Sequence, residues 1–224
     1  ACGPANTSRI ISSFFSNAQW TNRQYEGVVR RQHQMFIIDS HQGYSELITM
    51  GKHSDFARRA HDEYLTPYRG VYPLIPYLAN VATFAEPCAA NGQLIRHIEK
   101  HGPLCIHSGD IRTGTDALEC PTLRSLVVDC IITNPPYTWP VLRRMLELFP
   151  TIAPTWLLLE ATFPYTDQSA PYMRLCTDIV PAGSIKWFAG TKHASKERYA
   201  WFRFAQDAAC APSFHIKKPI PRGI

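Results

Sequence analysis

Apolar residues after about residue 61 fall into short runs separated by turn residues. Runs of this length, rich in β-branched and aromatic residues and bounded by Pro, Gly or Asp, predict strands, and the first of them, 81–87, predicts a buried one. Four such runs are VATFAEP (81–87), LCIHS (104–108), SLVVDCIIT (125–133) and TWLLLEA (155–161). We expect Val127, Val128, Ile131 and Ile132 to lie in a sheet that is covered on both faces. Two further runs, SIKWFAG (184–190) and RYAWFRF (198–204), predict closing strands on either side of a basic loop.

Segments whose apolar residues have helical spacing lie between these strands. Over residues 92–102, Leu94, Ile95 and Ile98 share one face and Gly102 ends the helix. A second helix is predicted after Pro140, which suits the first turn of a helix. Strands and helices alternate over residues 80–161, so the pattern predicts a doubly wound α/β domain with a mostly parallel sheet. We place this domain at residues 61–210, between an N-terminal extension of unknown role (1–60) and a basic C-terminal tail (211–224).

Two of the predicted strands end in residues that could bind a ligand. The first ends in AEPCAANG, where small residues and Gly92 open a helix and let a ligand approach the backbone and the helix N-terminus. After the second strand, Asp110 can accept hydrogen bonds from ribose hydroxyls, and Asp116 can meet an adenine amino group. Each of these features alone is also typical of an ordinary turn or helix cap.

The third predicted strand ends in Asn134-Pro135-Pro136-Tyr137. Two prolines cannot donate to a strand ladder, so the strand must stop there, and their carbonyls remain as acceptors beside the Asn134 side-chain carbonyl. Such a cluster suits an exocyclic NH2 group, with Tyr137 stacking on the attached ring. Moving that nitrogen toward tetrahedral geometry exposes its lone pair to an electrophilic methyl group. The alternative is a proline turn without a catalytic role.

Together these motifs resemble the S-adenosylmethionine-dependent amino-methyltransferases, particularly the DNA adenine-N6 methyltransferases of the small phage type. The resemblance covers residues 61 to about 204. It implies a seven-stranded Rossmann-like methyltransferase sheet with a C-terminal antiparallel hairpin, S-adenosyl-L-methionine as cofactor and a flipped-out adenine in DNA as substrate. The implied catalytic residues are Asn134, Pro135, Pro136 and Tyr137. The implied cofactor-binding residues are Tyr64, Thr66, Pro67, Glu86, Pro87, Ala90, Gly92, Asp110, Ile111 and Asp116.

The sequence departs from this family in two ways. Ala90 stands where the family has the first glycine of a G-x-G pair, and about 47 residues between Gly92 and Trp139 are too few for a target-recognition region. Cytosine N4, an RNA base or a protein glutamine therefore remain alternative substrates. A phage-derived relic that binds DNA without methylating it is a further alternative.

Charge along the chain suggests a polyanionic partner, and the resemblance implies DNA rather than RNA. Residues 183–224 hold eight Lys and Arg against two Asp and Glu, whereas residues 61–182 hold eight against twelve. We expect four basic side chains to face phosphates: Lys192, Lys196, Arg198 and Arg203. A solvated basic tail is the alternative.

Cysteine usage and hydropathy bear on the compartment. The seven cysteines form no C-x-x-C pair, no metal-ligand spacing is recognisable, and no apolar run approaches the length of a membrane span. No secretory signal pattern opens the chain. We therefore expect a cytoplasmic protein of a bacterial or phage-infected cell, with no metal and no membrane partner. Cys88 follows a proline, as the nucleophile of carbon-5 cytosine methyltransferases does, but it lies in the cofactor loop, where we expect no such role.

Overall fold

A computed structural model describes residues 64–187, 195–208 and 211–221 of the chain. These residues belong to one compact unit, Gly51–Ile224. Its centre is a sheet of seven strands among the described residues. In chain order the strands are β1 (Thr83–Glu86), β2 (Leu104–Ser108), β3 (Cys130–Thr133), β4 (Thr155–Glu160), β5 (Cys176–Gly183), β6 (Tyr199–Phe204) and β7 (Ser213–Phe214).

Across the sheet the strands lie in the order β2-β1-β3-β4-β6-β5-β7. Strands β2, β1, β3 and β4 run parallel, β6 is antiparallel to both β4 and β5, and β7 runs parallel to β5. The chain leaves β1 for β2 on one side and then returns to β3 on the other. The carboxyl ends of β1 and β3 therefore flank the switch point where open α/β sheets bind ligands. This sheet, with its antiparallel β5–β6 hairpin, confirms the predicted fold class.

Alternate residues of the central strands face two separate apolar clusters, one on each side of the sheet. On one side Ile131, Leu157 and Phe202 pack against a helix that contributes Leu146 and Phe149. On the other side the packing is formed by Phe84, Ile132, Leu158 and Trp201 with Leu94 and Ile98. Helices thus cover both faces, which explains why these strands are continuously apolar rather than alternating.

The helices are short except for one. They are α1 (Tyr68–Val71), α2 (Gln93–Glu99), α3 (Pro121–Arg124), α4 (Trp139–Ile152) and α5 (Ala170–Met173). Single 3-10 turns occur at Ile75–Leu78, Ile111–Thr113 and Phe163–Tyr165. No helix in the described part of the chain is long and apolar enough to cross a membrane.

The predicted strand over 125–133 is shorter than expected, because β3 begins only at Cys130. Asp129 lies at the amino edge of the sheet, where its carboxylate accepts the backbone N–H groups of Ala82 and Thr83, both at 2.8 Å. Residues before Asp129 are therefore outside the sheet. Val127, which we expected to be buried, is 91% exposed.

The predicted strand at 184–190 is wrong for its described residues, since 184–187 form no strand. The partner of β6 is instead β5, Cys176–Gly183, which the sequence did not reveal. Its apolar pattern is interrupted by Asp178 and Pro181, and the ladder shifts register beside both. Gly183 ends the strand with a φ of 84°. In addition, Ser213 and Phe214 of the expected tail form the edge strand β7.

Candidate active site at the carboxyl edge of the sheet

The loop between β1 and α2 is held against the end of β2. Ala89 donates its backbone N–H to the carbonyl of Gly109 at 2.8 Å, and Ala90 donates its N–H to Asp110 Oδ2 at 2.8 Å. Ala90 has a φ of 48°, the only positive φ of a non-glycine residue in the described chain, and Gly92 has a φ of 76°. The alanine thus adopts the left-handed conformation that glycine adopts most readily.

Asp110 organises this loop from the end of β2. Besides Ala90, its carboxylate accepts the backbone N–H and the Nε–H of Arg112, both at 2.9 Å. Burial favours the neutral acid, but the hydrogen bonds from Arg112 and Ala90 dominate and lower the pKa of Asp110. Asp110 is therefore a carboxylate at neutral pH. The neighbouring Ile111 is 63% exposed, and Asp116 is half-buried and accepts the N–H of Leu118 at 2.9 Å.

Glu86 lies at the end of β1 and is 1% exposed. Its Oε1 accepts the backbone N–H of Cys88 at 3.0 Å, whereas its Oε2 is buried without a hydrogen-bond partner. Burial raises the pKa of Glu86 to about 8. Burial likewise raises the pKa of the Cys88 thiol, which opposes a nucleophilic role for it. Pro87, between them, is also buried.

The predicted catalytic element follows β3 directly. Asn134 donates its Nδ2–H to the backbone carbonyl of Tyr64 at 2.9 Å, which fixes the amide and the direction of its oxygen. The Tyr137 hydroxyl lies 3.1 Å from Asn134 Oδ1 and 3.0 Å from the Leu158 carbonyl, so its one proton is shared between two acceptors. Pro135 is buried and Pro136 is half-buried, as expected of a rigid strand end.

The segment before α1 brings the third group of predicted residues to the same edge. Thr66 is 3% exposed, and Pro67 precedes the first residue of α1 in extended conformation. The buried indole of Trp201 on β6 donates to the carbonyl of Gly70 at 2.8 Å. This bond, over 131 residues of sequence, ties the end of α1 to the sheet.

These three groups line one small cleft of about 20 Å³. Its wall includes the segment Tyr64 to Thr66, the loop residues Glu86 and Cys88 to Asn91, and Asn134. Five residues of this wall were predicted as site residues: Tyr64, Thr66, Glu86, Ala90 and Asn134. Asp110 lies behind the wall and contacts it through the N–H of Ala90. Leu65 and Asn91 also line the cleft and were not predicted, because neither residue type marks a site on its own.

An aromatic cluster adjoins Asn134. The Tyr137 and Tyr199 rings are stacked with centroids 6.4 Å apart, and Trp187 meets Tyr199 edge-on at 5.0 Å and Tyr64 at 5.5 Å. Trp187 and Tyr199 lie in the two runs that were predicted as closing strands, 184–190 and 198–204. The contact of Trp187 with Tyr64 depends on tertiary packing and had no signal in the sequence.

The predicted phosphate-binding residues do not gather at one place. Lys192 lies outside the described residues. Lys196 and Arg198 are exposed at the carboxyl edge, where the Arg198 guanidinium donates to Ser184 Oγ. Arg203 lies at the opposite, amino edge, because it pairs with Trp156 near the start of β4. There its guanidinium contacts Thr177 and Asp178 and lines a second cavity of about 420 Å³.

Among the described residues, no group of three or more His, Cys, Asp or Glu side chains is arranged to hold a metal ion. The described residues that were predicted for the cofactor or for catalysis lie in two kinds of place. They lie at or after the carboxyl ends of β1, β2 and β3, or in the segment that precedes α1.

No protein family profile and no curated protein sequence matches the chain. Solved structures with partly similar folds include three proteins. One from Listeria monocytogenes, assigned to the class I S-adenosylmethionine-dependent methyltransferases, aligns over 70% of this chain and 65% of its own, with 13% identity and a TM-score of 0.48. One from Pyrococcus horikoshii, assigned as an RNA methyltransferase, aligns over 65% and 87%, with 14% identity and a TM-score of 0.44.

The third is the M protein of the type I restriction enzyme EcoKI, which aligns over 63% of this chain and 44% of its own, with 11% identity and a TM-score of 0.45. The chain thus spans less than two thirds of the length of the Listeria and EcoKI proteins.

Proposed function

We propose that this protein transfers a methyl group from S-adenosylmethionine to the exocyclic amino group of a flipped-out base, with adenine N6 in DNA as the favoured target. The observation that carries this proposal is the shared cleft. Asn134, an acceptor suited to an amine, lines the same cleft as the loop and the segment suited to the cofactor. Donor and acceptor of the methyl group would therefore meet at the switch point of the sheet.

The cleft residues fit the cofactor. Glu86 Oε2 is buried there without a partner, so the cleft offers an acceptor to a cationic group such as the amino group of a methionine moiety. Asp110 stays ionised and fixes the loop through its bond from the N–H of Ala90. Glu86 and Thr66 would hold the methionine end, and Asp110 and the loop backbone the nucleoside end. When bound, this cofactor supplies an electrophilic methyl group on a positively charged sulfur.

Asn134 and Pro135 would orient the amino group. The Asn134 amide is anchored through Nδ2, and its Oδ1 accepts from Tyr137 with one lone pair and keeps a second for an amine hydrogen. The Pro135 carbonyl supplies another acceptor. Two acceptors on the two amine hydrogens turn the nitrogen lone pair out of conjugation with the ring. Transfer is then direct, and the raised pKa of Cys88 agrees with the absence of a thiolate intermediate.

The conformation of Ala90 supports an active loop over the alternative of a relic that has lost its cofactor. The alanine adopts the φ of 48° that the loop needs, and it keeps its N–H bond to Asp110. A left-handed alanine costs about 1 kcal/mol, which the surrounding hydrogen bonds offset. Substitution of the glycine therefore leaves the loop geometry in place.

The test compares Asn134→Ala with Asn80→Ala. Asn80 is a matched control, since it is an asparagine on the cavity at the opposite edge. We expect Asn134→Ala to lower methyl transfer to DNA roughly 100-fold or more, as loss of an orienting polar group does in other active sites. Cofactor affinity by isothermal calorimetry should stay close to that of the wild type, and Asn80→Ala should change neither. Full transfer by Asn134→Ala would refute the proposed role of the strand end.

A further inference from the structure

Lys217 lies across the backbone of Gly183, at the carboxyl end of β5. A Cβ atom built on Gly183 would lie 2.6 Å from Lys217 Nζ and 3.1 Å from its Cε. Both distances are shorter than or close to the limit of real carbon contacts, so the lysine stem occupies the space of the missing side chain. Gly183 also has a φ of 84°, which disfavours any other residue.

The segment that carries Lys217 is fixed rather than a free tail. Ser213 and Phe214 pair with β5, and His215 donates its backbone N–H to Ile179 at 2.9 Å. The His215 ring lies 2.9 Å from Asp178 Oδ1 and packs on Tyr77 with centroids 4.5 Å apart. Two residues further along the chain, the Lys217 ammonium lies at the carboxyl edge of the sheet.

The glycine beside this ammonium pairs with a residue of the aromatic cluster of the proposed site. Gly183 pairs directly with Tyr199, whose ring contacts Tyr137 and Trp187. On the other side of Tyr199 its partner is Glu160 on β4. The charge beside the cluster is therefore one-sided, with Lys217 on the β5 side and a carboxylate on the β4 side. An anionic backbone is attracted to the β5 side only.

We infer that Lys217 binds a backbone phosphate of the DNA next to the flipped-out base, and that Gly183 is required because a side chain would displace this lysine. The inference rests on the proposed function, since it names a contact of the same substrate. Arg198, which donates to Ser184 beside Gly183, extends the cationic surface on this side. A phosphate contact of this kind positions the duplex without reading its sequence.

The adjacent Lys218 provides a matched control. Its Nζ lies 5.8 Å from the centroid of the Tyr77 ring, and Tyr77 lines the cavity at the opposite edge. Lys217→Gln and Lys218→Gln remove the same charge from neighbouring exposed residues. Only the first should remove a phosphate contact. Gly183→Ala keeps the charge and displaces it, and its fold is checked by circular dichroism.

Binding of a short fluorescein-labelled DNA duplex is measured by anisotropy between about 50 and about 200 mM salt. Loss of one phosphate contact should make the slope of log K against log salt less negative by about 0.9. The factor by which the affinity of the variant falls over this salt range is then about threefold smaller than that of the wild type. We expect this change for Lys217→Gln and for Gly183→Ala, on unrelated duplex sequences alike. Lys218→Gln should keep the wild-type slope.

A wild-type slope for Lys217→Gln, or equal changes for Lys217→Gln and Lys218→Gln, overturns this inference and leaves the proposed function standing. If instead the wild-type protein binds S-adenosylmethionine but no DNA, the DNA substrate itself is refuted, and the Lys217 contact with it. The two failures are therefore distinguished by the wild-type protein alone.

Discussion

Glu86→Gln should make the folded protein less sensitive to alkaline pH. The carboxyl is 1% exposed, and Gln has nearly the same shape. The amide oxygen can still accept the N–H of Cys88, and the amide nitrogen takes the position of the unpartnered Oε2. The substitution thus removes the titration of this group and little else.

The expected size follows from the pKa values. Burial raises the pKa of Glu86 from 4.5 to about 8 in the folded state. Below pH 4.5 the group is neutral in both states and costs nothing. Between pH 4.5 and 8 the unfolded chain releases the proton and the folded chain keeps it, so the free energy of unfolding falls by about 1.4 kcal/mol per pH unit. Wild type should therefore lose about 5 kcal/mol relative to Glu86→Gln across this interval.

The assay is urea unfolding of both proteins at a series of pH values from 4 to 8, with the difference in unfolding free energy as the readout. Titrations that the two proteins share cancel in this difference. Glu119→Gln, which changes an exposed carboxylate paired with Arg144, is the control and should show no comparable slope. Parallel pH profiles for wild type and Glu86→Gln would refute the argument that Glu86 is neutral in the folded protein.

The same pair of proteins links this pKa to the cofactor. If the amino group of S-adenosylmethionine pairs with Oε2, the Glu86 carboxyl becomes ionised on binding, and the wild type releases about one proton at pH 6 to 7. Isothermal calorimetry in buffers of different ionisation enthalpy counts that proton. Glu86→Gln should release none and should bind more weakly.

Two further substitutions test the loop and the aromatic ring. Ala90→Gly should raise the free energy of unfolding by about 1 kcal/mol and should not weaken cofactor binding, because it relieves the left-handed alanine; a lower melting temperature would contradict the strain argument. Tyr137→Phe loses the bond to the Leu158 carbonyl and should cost about 1 kcal/mol of stability, while methyl transfer stays near the wild-type level. Tyr137→Ala should lower transfer about tenfold or more through lost stacking, and equal losses in the two variants would show that the hydroxyl, not the ring, matters.

The sequence predicted the elements whose apolar pattern is uninterrupted. Strands β1 and β4 were found because burial on both faces gives continuous apolar runs, and helices α2 and α4 because a one-sided helix gives a clear period. Strand β2 was found although it is a half-exposed edge strand. Strand β5 was missed because Asp178 and Pro181 break its run, although its neighbours tolerate both through shifts of register. The start of β3 was misplaced because only Asp129, bound to backbone N–H groups of β1, marks where the sheet begins.

In the candidate site, too, some residues were predicted from the sequence, whereas some contacts could not be. Glu86, Asp110 and Asn134 were predicted because each lies at or just after the carboxyl end of a strand, so the topology brings them to one edge. The bond from Asn134 to the Tyr64 carbonyl spans 70 residues, and no local pattern could reveal it. Arg203 was grouped with the phosphate-binding residues by its charge. The antiparallel direction of β6 carries it to the other edge, since its position depends on strand direction and not on sequence distance.

If this cleft methylates an amino group of a base, the product can be identified directly. The protein is incubated with tritiated S-adenosylmethionine and unmethylated DNA, and the DNA is then digested to nucleosides. We expect tritium in N6-methyldeoxyadenosine and loss of that signal in Asn134→Ala. Label in N4-methyldeoxycytidine would retain the mechanism and change the base. No tritium in any nucleoside of DNA or RNA, from a protein that binds the methyl donor, would refute the proposed function.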